Sequence, residues 1–109
     1  SSLSAWAIAA METARYLGVP AIDLNTMGQQ FNAALGADAD RQFADRTHHS
    51  EYGAYLLAKG ITHQLSRMKL PLAEAIVADF SFDPANPQPR PSDWSLPSDT
   101  APAGGRGGQ

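Results

Sequence analysis

The segment FADRTHHSEYGAYLLAKGI, residues 43–61, places Asp45, His48 and His49 in a short polar stretch directly ahead of an amphipathic run. The chain has 3 histidines and no cysteine, so most of its imidazole is concentrated at this one point. A spacing of three lets a turn bring the Asp45 carboxylate to His48 Nδ1–H. In such a pair the carboxylate fixes the tautomer and supports the imidazolium, leaving Nε2 to take a proton from a nucleophile. Asp45 and His48 are therefore candidate catalytic residues, forming two of the three members of a Ser-His-Asp triad. His49 reads either as a substrate contact or as a solvated loop residue. Thr47 is suited to a hydrogen bond within the loop.

The same residues suggest a second chemistry. Asp45, His48 and His49, with Glu51 or His63, offer oxygen and imidazole ligands suited to several divalent ions. Adjacent histidines seldom converge on one ion, however, and no His-x-x-x-His pair is present. The expectation is that the site uses no metal and no cofactor. A third reading is a noncatalytic interaction module built from the helices and the proline-rich tail.

The elements that must position this loop follow from periodicity. Residues 51–68 read as a helix capped by Ser50, with Ala54, Leu57, Ala58, Ile61, Leu65 and Met68 on one stripe. Gly53 permits a close approach to its first turn. Upstream, Ser4 is expected to cap a helix whose face carries Trp6, Ala10, Thr13, Ala14 and Leu17, with Gly18 as its stop. VPAIDL, residues 19–24, reads as a short apolar strand suited to a parallel sheet covered on both faces. A further helix is expected over 26–35, with Met27, Phe31, Ala34 and Leu35 inward and Gly36 ending it. Leu70 and Pro71 open a last short helix through Val77.

A lone strand leaves both edges unpaired, so helices around one strand do not complete an α/β layer. The expected fold class is α/β: the C-terminal αβα portion of a larger doubly wound domain, mostly helical in this chain; the competing reading is a small free-standing helical domain in which VPAIDL is buried extended chain. The expected organisation is residues 1–78 as that portion and 79–109 as a Pro/Gly-rich extension. The extension holds six of the eight prolines. Phe80, Phe82 and Trp94 would anchor it as a strap, and its last ten residues would be disordered.

Charge narrows the partners. A net charge of −3, a pI near 5.4 and no run of Lys or Arg remove the electrostatic footprint that nucleic acid or an anionic membrane requires. No apolar run approaches the roughly 18 to 20 residues of a membrane span, and no secretory signal pattern opens the chain. The lack of cysteine excludes a disulfide framework, a thiol nucleophile and a thiolate zinc site.

DRTHHSEYGAYLLAKGI closely resembles the last conserved block of the SGNH, or GDSL, hydrolases, in which an Asp-x-x-His pair precedes a Gly-Ala helix. It is most similar to the rhamnogalacturonan acetylesterase branch, and GVPAIDLN followed by an ALG helix end extends the similarity over roughly residues 4–70. The resemblance implies a flavodoxin-like three-layer fold, with Asp45 as the acid that orients the base and His48 as the general base. It implies a serine esterase, in particular a carbohydrate O-acetylesterase acting on acetylated pectic polysaccharide or another small ester, outside the cytoplasm. The family's Gly-Asp-Ser nucleophile block and its oxyanion donors have no counterpart here. The resemblance thus implies the C-terminal part of an esterase, dependent on an N-terminal part for its nucleophile and inactive alone.

Overall fold

The computed structural model describes residues 3–97. The chain is mostly helical: α1 is Ser4–Leu17, α2 is Leu24–Leu35 and α3 is Glu51–Met68. Shorter 3₁₀ segments occupy Gly36–Gln42, Pro71–Ala75 and Pro91–Asp93. No strand forms among the described residues, where the only β pairing is an isolated antiparallel bridge between Phe43 and His49. No helix among them is long and apolar enough to cross a membrane.

The expected strand over 19–24 is therefore corrected to an extended link over 19–23, because no neighbouring strand pairs with it among the described residues. The Asp23 side chain diverts the end of the segment. It accepts from the Thr26 backbone N–H at 3.0 Å and from the Thr26 hydroxyl at 2.8 Å, capping α2 and starting the helix at Leu24, two residues early. The Thr26 backbone bond, followed by its hydroxyl, holds the Asp23 carboxyl below its usual range. Ser4 is likewise not a cap: Leu3 holds the cap position, Ser4 is the first residue of α1, and its Oγ accepts from Asn25 at 3.3 Å. The last expected helix is only the 3₁₀ turn Pro71–Ala75.

The core is formed by Met27, Phe31 and Leu35 of α2 against Tyr52 and Leu56 of α3. Its helix crossing depends on Gly60, where an added Cβ would lie 2.6 Å from Met27 Sδ and 2.9 Å from Phe31 Cζ. The buried line of α3 is thus Tyr52, Gly53, Leu56 and Gly60, not the stripe through Ala54, Leu57 and Ala58. A similar rotation applies to α1. Only Ala14 is buried, and Trp6 and Leu17, expected inward, are 76% and 63% exposed.

Residues 79–97 form the expected strap. Phe82 meets Phe31 edge-on with ring centroids 6.0 Å apart, and Trp94 lies 5.9 Å from Tyr52 and 5.5 Å from Tyr55. Lys59 sits over Tyr55 and Phe80 at 5.5 and 5.3 Å. Arg90 Nη1 donates to the Ala34 carbonyl at 3.3 Å, placing a cation at the C-terminal end of α2 where the helix dipole favours it. Tyr52 Oη donates to the Pro89 carbonyl at 3.0 Å. Tyr52→Phe should cost about 0.5–1.5 kcal/mol in urea unfolding, since the packing survives and only this bond is lost. The disorder expected of the last ten residues lies outside the described residues.

Candidate functional site

The loop of residues 43–49 is a small hairpin closed at its neck. Ser50 N donates to Gln42 O at 2.8 Å, Ala44 N donates to His48 O at 2.9 Å, and the Phe43–His49 bridge lies between them. Ser50 serves twice: its hydroxyl accepts from Gly53 N at 3.1 Å, capping α3, and donates to the Arg41 carbonyl at 2.6 Å. Gly53 lies directly against Gln42, and any Cβ there would run into the Gln42 carbonyl. The first turn of α3 therefore presses on the loop as closely as the sequence suggested.

At the tip, Asp45 organises both backbone and side chain. Its Oδ1 accepts from the N–H groups of Thr47 at 2.8 Å and His48 at 2.7 Å. His48 Nδ1 lies 3.0 Å from Oδ2 and 3.1 Å from Oδ1, a contact that selects the Nδ1–H tautomer. Among the described residues Asp45 is the only hydrogen-bond partner of the His48 ring, and it acts through Nδ1. The side chains are 76% exposed for His48 and 58% for Asp45, so as an ion pair they add little to stability. Thr47 supports the loop through its backbone rather than its hydroxyl.

The Thr47 and His48 amides, joined by the His48 ring, hold the Asp45 carboxyl below the ordinary carboxylate range. These bonds favour the ionised form in the folded chain. Their contribution is present above the unfolded carboxylate pKa and fades as pH falls through the lowered folded value. A carboxyl ¹³C titration should show Asp45 ionising at lower pH than a model peptide. In His48→Ala the midpoint should rise yet stay depressed, because the backbone amides of Thr47 and of residue 48 both remain and only the ring contact is lost.

His49 turns away from this pair. Its ring stacks on Phe43, with centroids 5.2 Å apart and planes tilted by 34°. It faces a cleft of about 580 Å³ between α1, α2 and the loop, bordered also by Trp6, Asn25, Gln29, Arg46 and Thr47. The proposed metal ligands are not brought together: no group of three or more His, Asp or Glu side chains able to hold an ion occurs among the described residues. His63 lies apart on α3, its ring edge-on to Phe82 at 6.2 Å.

No protein-family model, curated protein or solved structure matches the chain.

The geometry alone thus defines the candidate site as an acid–base pair on a braced loop at the rim of an open cleft. Sequence reasoning missed one contributor. Gln42 is the buried polar residue of the described chain, 4% exposed, and its amide donates to Asn32 Oδ1 at 2.8 Å and to the Ala39 carbonyl at 3.0 Å. Nothing in the pattern DRQFAD distinguishes this glutamine from a solvated one.

Proposed function

We propose that this chain is the C-terminal part of an SGNH-type serine ester hydrolase, contributing Asp45 and His48 to a Ser-His-Asp triad. One observation carries the reading: the Asp45 carboxylate lies on His48 Nδ1, the contact that orients an imidazole as a general base. In the proposed reaction His48 Nε2 takes the proton of a serine hydroxyl supplied by an N-terminal part of the protein. The serine oxygen attacks the acyl carbon, and His48 returns the proton to the departing alcohol. Water then releases the acyl group by the same route. Neither metal nor cofactor takes part.

The substrate class we propose is an acetylated carbohydrate, in particular a pectic polysaccharide, hydrolysed outside the cytoplasm, on the strength of the sequence resemblance. His49, on the cleft wall beside Trp6 and Arg46, is the residue proposed to contact it. In the complete three-layer fold α1 and α2 would flank a parallel sheet, and the link at 19–23 would pair as a strand.

The test uses a longer chain extended upstream to its Gly-Asp-Ser block. It should hydrolyse an activated acetyl ester and react with a serine-directed phosphonate, whereas the 109-residue chain should do neither. Turnover by the 109-residue chain that disappears in His48→Ala would overturn the reading. An extended, folded chain that neither turns over nor labels would assign the exposed face to a noncatalytic interaction module instead.

A further inference from the structure

The hydrogen bonds that align His48 lie within the loop tip, whereas the hydrogen bonds that tie the loop to the helical body lie at its neck. Asp45 is bonded to the Thr47 and His48 amides and to the His48 ring, all of them groups of the loop itself. At the neck, Gln42 has both its backbone and its side chain engaged. Its carbonyl accepts from Ser50 N at 2.8 Å and lies against Gly53, while its buried amide donates to Asn32 on α2 and to the Ala39 carbonyl. One residue thus ties α2, the 3₁₀ segment and the start of α3 to the hairpin base. A buried amide with fixed partners holds one arrangement, because any displacement leaves its polar atoms unpaired.

We propose that Gln42 is a positioning residue: its bond to Asn32 fixes the hairpin neck and thereby keeps the Asp45 carboxylate on His48 Nδ1. The catalytic meaning of that alignment rests on the hydrolase reading, but the alignment itself does not. Losing the amide lets Gln42 rotate about its backbone, loosens the Ser50 N to Gln42 O bond and allows the two hairpin arms to slide. The three-residue separation of Asp45 and His48 permits the contact; the closed neck makes it the prevailing state.

The experiment reads the tautomer of His48 in the 109-residue chain by ¹⁵N-resolved imidazole NMR at a pH where the ring is neutral. Wild type should show Nδ1–H as the majority form, held there by the carboxylate. Gln42→Leu preserves apolar volume while removing the donor, and should turn Nδ1–H into the minority form with the Phe31–Phe82 contact intact. Asn32→Asp keeps an acceptor for the Gln42 amide and should retain the wild-type tautomer. A folded Gln42→Leu chain with Nδ1–H still the majority form would overturn the proposal, and so would Asn32→Asp behaving like Gln42→Leu. If Gln42→Leu does not fold, Asn32→Leu at its exposed position decides: loss of the Nδ1–H majority supports the role, and retention overturns it. Because no ester turnover enters this readout, failure of the hydrolase reading would appear separately, as a wild-type tautomer pattern without activity in the extended chain.

Discussion

His48→Ala in the extended chain is expected to lower turnover at saturating substrate by at least about a thousandfold, equivalent to roughly 4 kcal/mol of transition-state stabilisation. In the proposed hydrolase, His48 is the loop imidazole held on the Asp45 carboxylate, and alanine would leave the proposed serine without its base. Asp45→Asn should cost a comparable amount. An amide in that place no longer selects the Nδ1–H tautomer and no longer supports the imidazolium. It also weakens the acceptor for the Thr47 and His48 amides, so the variant must be checked for loop order as well as folding. His49→Ala should cost about tenfold or less, because its ring is turned onto Phe43 and stays off the Asp45 carboxylate. The three variants belong in one extended chain, each with circular dichroism and a turnover assay. A loss in His49→Ala equal to that in His48→Ala, accompanied by loss of bound metal, would replace the triad with a metal site.

Phe31→Ala should be the most damaging change to the fold itself. Phe31 is fully buried, shares the core with Met27, Leu35, Tyr52 and Leu56, receives Phe82 of the strap edge-on, and lies against Gly60 at the α2–α3 crossing. Removing its ring deletes the contact through which three segments meet. Large-to-small changes of this kind cost about 3–5 kcal/mol, against a total stability of about 5–15 kcal/mol for small domains. Urea unfolding followed by far-ultraviolet circular dichroism should show a midpoint displaced to much lower urea, or a chain already unfolded in buffer. A loss under about 1 kcal/mol would mean that the α2–α3 core does not depend on this ring. The strap should be released with it, so Trp94 fluorescence should shift to the red together with the loss of helix.

What the sequence determined by itself was local. Ser50 as the cap of α3, Gly18 and Gly36 as helix stops, the position of α2 and the pairing of Asp45 with His48 depend on groups three or four residues apart. Steric permission at a glycine, a side chain bonding a nearby backbone N–H and the reach of a carboxylate across one turn are short-range effects that no distant neighbour has to complete. The aromatic anchors of the strap were legible for a related reason. Large apolar rings in a proline-rich run have few places to go except onto the helices.

The tertiary structure decided which surfaces are covered. Helix α3 is apolar around much of its circumference, and counting large residues favoured the stripe through Leu57 and Ile61. The line that is buried instead includes Gly53 and Gly60, which carry no hydrophobic signal but let the Gln42 carbonyl and the Met27 and Phe31 side chains come close. In α1 Ala7 and Met11 are half-buried and Ala14 is buried, while Trp6 and Leu17 stay in solvent. Residues 19–24 have the composition of a strand, but a strand is a property of two chains hydrogen-bonded side by side, and within the described residues no partner edge is supplied. Gln42 was invisible for the same physical reason: its burial depends on Asn32 and Gly53, residues ten and eleven positions away. Which amide becomes a buried clasp is settled only when the helices have packed around it.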